Sequence, residues 1–221
     1  MFVYIAETYT NYFSFLNLFN YITFRTGGAI LTSLFFSLIF GEVIIKYLSS
    51  LQPIGQPIRD DGPVSHILQK SGTPTMGGVL ILTSILISFL LWSRLTNLYV
   101  WISLFACLSF GLVGFLDDYK KIYSKSSRGL KASTRIILQI TISLVIIFLI
   151  HSQLPDDLRN TINIPFFKNL IFDFGIFFFI FAIIIIVGSA NAVNLTDGLD
   201  GLAIVPVMIV AMSFAFIAYI S

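Results

Sequence analysis

The amino-acid sequence predicts an all-α protein, a polytopic transmembrane helical bundle with about six spans. Hydrophobic residues make up 57% of the 221 residues and charged residues only 11%, against about 25% charged in a soluble domain. So large an apolar excess does not fit inside a soluble core of this size. Several apolar runs are also long enough for a helix to cross a bilayer. We therefore expect residues 1–221 to form a single integral membrane domain.

Six apolar segments account for the predicted spans. Each has about 17 to 22 residues, which at about 1.5 Å per residue is enough to cross roughly 30 Å of hydrocarbon. The segments are 27–48, 76–92, 98–116, 134–151, 174–192 and 201–220. Residues 1–23 are rich in Phe and Tyr and lack a basic start. They are therefore expected to lie at the membrane interface and not to be a cleaved signal peptide.

Net charge and cysteine content bear on two further classes of protein. The net charge of +2 is too small to favour nucleic-acid binding, so no nucleic-acid partner is expected. The single cysteine, Cys107, lies inside an apolar run, which excludes a disulfide framework and predicts a buried structural thiol.

The distribution of Lys and Arg predicts how the spans are oriented. Most basic residues fall in one set of loops, which should face the cytoplasm by the positive-inside rule. This set is Lys46, Arg59, Lys70, Lys120, Lys121, Lys125, Arg128, Lys131 and Arg135. The opposite side holds only Arg25, Arg94, Arg159 and Lys168. The N-terminus and residues 152–173 are then expected outside the cell.

The first group of polar residues that needs explaining is the loop 60–78, which contains Lys70 and Thr75. Its glycines allow close backbone approach, and free N–H groups at a helix start can hold phosphate. Lys70 could add a positive charge. The spacing is not that of a P-loop. A simple turn leading into the second span is the alternative interpretation.

The second group contains two adjacent carboxylates, Asp117 and Asp118, directly after an apolar span. Removing them from water is costly without a cation or a hydrogen-bond partner, and acids at a membrane edge are usually functional. Neighbours on a helix point about 100° apart, so one carboxylate could approach a metal and the other a substrate hydroxyl or phosphate. The alternative is a solvated helix end neutralised by Lys120 and Lys121.

The third group recurs every third residue, as Asn191, Asn194, Asp197 and Asp200. Three helical steps leave a drift of about 60°, so neighbours in this series share a face until the following glycines interrupt the helix. Amides and carboxylates in such an array suit a nucleotide, a sugar or a hard cation. A calcium loop and a polar turn without a ligand are the alternatives, although the spacing lacks the ligand pattern of a calcium loop.

In this order and spacing, residues 70–78, 114–121 and 191–203 resemble the polyprenyl-phosphate N-acetylhexosamine-1-phosphate transferases. The first motif is most similar to the bacterial phospho-N-acetylmuramoyl-pentapeptide transferase branch of that family. The resemblance covers nearly the whole chain. It implies a multi-pass enzyme of the bacterial cytoplasmic membrane in which undecaprenyl phosphate attacks UDP-N-acetylmuramoyl-pentapeptide. The implied products are UMP and lipid I, the first lipid intermediate of peptidoglycan, and the implied cofactor is Mg²⁺.

The resemblance also implies a role for each candidate residue. Asp117 and Asp118 would organise the lipid phosphate and the metal, and Asp200 would share the catalytic and metal site. The implied substrate contacts are Lys70, Thr75, Lys121, Lys131, Asn191, Asn194 and Asp197. The partners are then undecaprenyl phosphate, UDP-MurNAc-pentapeptide and membrane lipid, and association into a homodimer stays open.

One departure from the family concerns its later spans. Family members continue beyond this point with another metal-binding aspartate and a histidine-rich loop, whereas this sequence ends at Ser221 without an adjacent His-His pair. We therefore expect little activity from this chain alone. The alternatives are a sister enzyme that uses UDP-N-acetylglucosamine, an inactive truncated membrane protein, and a transporter. Polar groups clustered at one interface argue against a transporter, whose site would lie near the membrane midplane.

Overall fold

The computed structural model describes residues 1–52, 55, 73–124, 126, 129–164, 167, 171–197 and 202–220. Its α-helices are α1 (Phe2–Tyr9), α2 (Ile22–Leu51), α3 (Gly78–Trp92), α4 (Leu98–Ser124), α5 (Ala132–Gln153), α6 (Phe177–Thr196) and α7 (Ile204–Ile220). A 3-10 helix covers Ser14–Asn20, and two short strands are β1 (Thr161–Asn163) and β2 (Ile171–Asp173).

The helices confirm the predicted all-α membrane fold. Among the described residues, α2, α4, α5 and α6 are each long and apolar enough to cross a membrane, while α3 and α7 are shorter apolar helices. The six follow the order of the six predicted spans. Their bounds differ most at α4, which continues to Ser124 instead of ending at residue 116. The prediction stopped at the last apolar residue, whereas the helix continues through charged residues that pair with one another.

Contacts divide the chain into two compact units, Met1–Ile142 and Ser143–Ser221. The boundary falls inside α5, so one continuous helix contributes to both units. A single integral membrane domain therefore stays a prediction.

The first unit is built on the packing of α2 against α3 and of α3 against α4. Small residues let these helices approach closely, as is usual between membrane helices. A side chain at Gly28 of α2 would overlap the indole of Trp92, and one at Gly111 of α4 would overlap Leu82 of α3. The serines Ser84 and Ser88 of α3 are buried. Cys107 of α4, predicted to be a buried structural thiol, is a free and only partly buried thiol.

The N-terminal segment is anchored to the end of α3. The Met1 amine donates hydrogen bonds to the carbonyl oxygens of Leu90 at 2.7 Å and Leu91 at 3.1 Å. These carbonyls belong to the last turn of a helix and have no partner within it. Phe2 and Phe19 also contact the Trp92 ring, with centroids 4.9 and 5.7 Å apart.

The second unit contains a short antiparallel ladder that the sequence did not predict. β1 pairs with β2 in the register Ile162 opposite Phe172, within the segment expected to be a plain external loop. A hydrogen bond of 3.0 Å between His151 Nε2 and Asn160 Oδ1 links the end of α5 to this ladder. In α6 and α7, none of the described residues is buried.

Candidate active site

Asp117 and Asp118 lie near the end of α4, and Lys121 holds both of them. The ammonium Nζ of Lys121 lies 2.7 Å from Asp117 Oδ2 and 2.9 Å from Asp118 Oδ1. The spacings of four and three residues place the three side chains on one face of the helix. A lysine in the last turn is also favoured by the helix dipole. These pairs explain why α4 remains helical beyond its apolar portion.

Thr75 reaches the same cluster from the segment before α3. Its hydroxyl donates a 2.8 Å hydrogen bond to Asp118 Oδ2. Its backbone is fixed by Gln52 at the end of α2: the Thr75 N–H donates to Gln52 Oε1 at 2.9 Å, and Gln52 Nε2 donates to the Thr75 carbonyl at 3.3 Å. The Gln52 residue is 6% exposed. Through these two hydrogen bonds, the Gln52 side-chain amide joins the end of α2 to the segment that leads into α3, beside the acids.

The turn between α4 and α5 holds Asp117 from the other side. The backbone N–H of Leu130 donates a 2.7 Å hydrogen bond to Asp117 Oδ1. A Cβ atom at Gly129 would overlap the Asp117 carboxylate. Only a glycine lets the backbone approach the acid this closely.

Charge in this cluster is nearly balanced and partly shielded from water. The side chains of Asp117, Asp118 and Lys121 are 16%, 28% and 30% exposed. Arg135 at the start of α5 lies within electrostatic range of Asp117. Each of the four carboxylate oxygens accepts one contact and can take a second. The cluster can therefore receive an additional cation or hydrogen-bond donor without losing its framework.

The carboxylate pair has the donor chemistry for Mg²⁺, which usually binds through one or two carboxylates, several waters and substrate phosphates. No group of three or more His, Cys, Asp or Glu side chains suited to a metal occurs among the described residues. Asp200, the third predicted ligand, lies outside that part of the chain, as does Lys70. Of the three predicted metal ligands, Asp117 and Asp118 are the two that the structure describes.

Asn191, Asn194 and Asp197 lie in the second unit, at the end of α6. Asn191 and Asn194 are helical, and Asp197 is the residue directly after the last helical residue, Thr196. Asn191 Nδ2 donates to the Val187 carbonyl at 2.8 Å. Asn194 and Asp197 are exposed. Lys131, directly before α5, is exposed as well.

Three residues of the site were not predicted from the sequence: Gln52, Gly129 and Leu130. Their contacts with Thr75 and Asp117 join positions 23 and 13 residues apart. The sequence offered two signals: Gln52 is a polar residue shortly after an apolar span, and Gly129 is a glycine between two helical segments. Neither signal identifies the partner.

Residues 100–221 match the family model described as Glycosyl transferase family 4. The match covers more than half of the chain, including both acids of α4, so the protein belongs to this family. Residues 70–82 also match the Phospho-N-acetylmuramoyl-pentapeptide-transferase signature 1. That segment contains Thr75 and the start of α3. The family resemblance noted in the sequence is therefore confirmed.

Rickettsial relatives narrow the comparison further. Over 204 residues, 92% of this chain, it is 53% identical to the phospho-N-acetylmuramoyl-pentapeptide-transferases of Rickettsia felis and Rickettsia akari. Identity to the Rickettsia prowazekii enzyme of the same name is 52% over the same length. The chain spans 56% of the length of each of these relatives.

Proposed function

We propose that this chain carries the Asp117–Asp118 part of a phospho-N-acetylmuramoyl-pentapeptide transferase. The observation that carries the proposal is the cluster in which Thr75, Lys121 and the Leu130 N–H hold two adjacent carboxylates. Identity of 53% with a curated transferase across 92% of the chain supports the same function. The reaction transfers phospho-MurNAc-pentapeptide from UDP-MurNAc-pentapeptide to undecaprenyl phosphate.

In this reaction an oxygen of undecaprenyl phosphate attacks the phosphorus attached to the sugar. A new phosphorus–oxygen bond forms, and the bond to the bridging oxygen of the donor pyrophosphate breaks. UMP leaves with that oxygen, and the product is lipid I. The attacking phosphate is already ionised near neutral pH, so the chain mainly has to position two anions and offset their charge.

The residues of the cluster suit that task. Asp117 and Asp118 would hold Mg²⁺, which supplies charge neutralisation to the donor pyrophosphate when bound. Lys121 keeps the carboxylates in place and offsets part of their charge. Thr75, fixed by Gln52, orients Asp118. These side chains are therefore preorganised before substrate arrives.

The remaining assignments extend the site beyond this cluster. We assign phosphate or nucleotide contacts to Lys70, Lys121, Lys131, Asn191, Asn194 and Asp197, and a third metal carboxylate to Asp200. The basic residues beside the acids, Lys120, Lys121, Lys131 and Arg135, favour the cytoplasmic side of the bacterial inner membrane.

The test is release of UMP by the chain co-expressed with the C-terminal remainder of the Rickettsia felis relative. Asp117→Asn, Asp118→Asn and Asp200→Asn should each lower turnover by about 100-fold or more, the scale of losing an electrostatic contact at a reacting centre. Asp157→Asn is the control, because this exposed acid lies in the loop of the second unit. Equal turnover by all four variants would contradict the assignment.

Two further arms of this assay test the donor and the cofactor. UDP-MurNAc-pentapeptide should support UMP release and UDP-N-acetylglucosamine should not. Turnover of UDP-N-acetylglucosamine alone would instead identify the sister enzyme. Chelation of divalent metal should abolish release and added Mg²⁺ should restore it, whereas unchanged turnover after chelation would remove the metal from the proposal.

A further inference from the structure

A long apolar groove runs along α2 at the end of the first unit opposite the acids. We call it the α2 groove; its volume is about 1010 Å³. The residues that line it include Tyr21, Phe24, Gly27, Leu31, Phe35 and Trp92. The C-terminal end of α2 meets Thr75 through Gln52, so the groove begins at the far end of the same helix. It is therefore separate from the candidate active site.

One wall of the α2 groove is fixed in place. Trp92 Nε1 donates a 2.9 Å hydrogen bond to Thr32 Oγ1, and the indole packs where Gly28 lacks a side chain. Phe19 stacks on the same indole with ring centroids 5.7 Å apart, and Phe24 meets its edge at 6.0 Å. Because these side chains already contact one another, we expect an occupant to bind with little further loss of side-chain freedom.

Two arginines are close in the chain to residues that line the groove: Arg25 directly follows Phe24, and Arg94 is two residues after Trp92. Arg94 forms a 3.1 Å ion pair with Glu7, and Arg25 lies within electrostatic range of both. Two guanidinium groups facing one carboxylate leave one net positive charge. The Nε atom of Arg25 is buried, and no hydrogen-bond partner for it occurs among the described residues. A buried donor without a partner is costly, and a guanidinium fork matches the oxygens of a phosphate.

The shape of the groove favours a chain-like apolar occupant. Phe24 and Phe40 of α2 both line it, and their sixteen helical steps correspond to about 24 Å. This exceeds half of a bilayer core of about 30 Å, so one acyl chain of a single leaflet fits along it. Tyr and Trp at its start are the side chains enriched where membrane meets water.

We propose that the α2 groove and the Arg25–Arg94 pair form a binding site for an anionic phospholipid. One acyl chain lies in the groove, and the headgroup phosphate accepts hydrogen bonds from the two guanidinium groups. A zwitterionic headgroup would bring its own cation towards these arginines, whereas an anionic headgroup would not. The site is therefore selective for headgroup charge as well as for an acyl chain.

Native mass spectrometry of the purified 221-residue chain tests the headgroup. Phosphatidylglycerol and phosphatidylcholine with identical acyl chains are titrated separately. We expect phosphatidylglycerol to bind more tightly, and Arg25→Gln with Arg94→Gln to remove that preference, at about fivefold per lost charge. Lys46→Gln is the matched control, because Lys46 lies on the same helix, exposed and paired with Glu42 at 3.3 Å. Equal binding of both lipids by the unsubstituted chain would overturn the proposal.

A second pair of variants keeps the arginine test independent of folding. Arg25→Lys with Arg94→Lys preserves the charges and should retain a preference for phosphatidylglycerol, with helix content of every variant checked by circular dichroism. Loss of the preference in the lysine variant, with helix content intact, would contradict a charge-based site. Displacement of phosphatidylglycerol by inorganic phosphate would also overturn the proposal, because it would show an anion site and not a lipid site.

Gly27 offers a direct test of the groove. A Cβ atom at Gly27 meets no atom within 4 Å, so Gly27→Leu would extend into the groove without a clash. We expect this variant to weaken the binding of both lipids. Gly188→Leu is the control, because Gly188 of α6 is equally open. Unchanged lipid binding by Gly27→Leu would place the acyl chain elsewhere and refute the site.

Discussion

Asp117 is held by three residues that differ in how they act. Lys121 supplies charge at 2.7 Å, Leu130 supplies a backbone N–H at 2.7 Å, and Gly129 supplies space. The first two contacts favour the ionised carboxylate. The third lets the turn between α4 and α5 approach the acid. The position of the carboxylate therefore depends on the turn as much as on the helix that carries it.

Gly129→Ala should displace the Asp117 carboxylate, because a Cβ atom there would overlap it. A displacement on the order of 1 Å at a reacting group can lower the rate by about 100-fold, and we expect UMP release from the co-expressed enzyme to fall on that scale. Gly188→Ala, at an open helical position, is the control and should keep full turnover. Wild-type turnover by Gly129→Ala would show that the turn does not position the acid.

At the residue scale, the sequence drew attention to the two acids but did not identify all of the residues that contact them. Two acids that leave an apolar span are costly unless paired, which was sufficient to single out Asp117 and Asp118. Neutralisation by Lys120 and Lys121 was considered only in the alternative interpretation of a solvated helix end, and the structure pairs Lys121 with both acids. The link from Gln52 to Thr75 joins two helix ends, and no local pattern encodes which ends meet. Asp200 and Lys70 stay predictions, since both lie outside the described residues.

At the scale of elements, α2 and α3 are joined at both ends. Gln52 binds the Thr75 backbone at the end near the acids, and Trp92 packs on Gly28 at the other end. Between these contacts, a Cβ atom added at Gly41 of α2 would lie 3.7 Å from a methyl carbon of Leu80 in α3. Helix α3 has only 15 residues, so its placement depends on these contacts more than on its own length.

Adjacent glycines of α2 provide a matched test of this packing. Gly28→Ala should destabilise the chain by about 1–3 kcal/mol, the usual cost of overpacking, because its Cβ atom would overlap Trp92. Gly27→Ala should leave stability unchanged or slightly higher, since its position is open and alanine favours a helix by about 0.5–1 kcal/mol. Thermal unfolding in detergent measures both. Equal melting temperatures would show that α2 and α3 do not meet as described.

Helix order was predictable because apolar runs of spanning length are a strong signal. Helix ends were less predictable, as α4 shows by continuing through paired charges to Ser124. The strands β1 and β2 have only three residues each and lie in a segment without a periodic pattern. Their pairing depends on two segments meeting, which composition alone does not indicate.

At the scale of the whole molecule, the distribution of basic residues predicts which ends of the helices share a side. Cysteines at Ser124 and Asp157, both exposed, should react with a membrane-impermeant thiol reagent from opposite sides, with position 124 inside. A Cys107→Ser background removes the native thiol. Reaction of both positions from the same side would contradict the orientation and the cytoplasmic placement of the acids.

The activity of this chain by itself can be predicted from the part of the candidate active site that it carries. It carries the Thr75–Asp118–Lys121–Asp117 cluster, yet it spans 56% of the length of its Rickettsia felis relative. Asn191 and Asn194 lie in α6, and none of the described residues of α6 or α7 is buried. We therefore expect the purified chain alone to release little UMP.

Co-expression with the C-terminal remainder of that relative should restore release by about 100-fold or more, the scale expected when separated groups are brought into register. The same co-expression with Asp118→Asn in this chain should not restore UMP release. That result would assign the restored activity to the pair of acids and not to the added segment. Robust release by the chain alone would show that its own residues complete the site. No release from either preparation, with both inserted and folded, would count against the transferase itself.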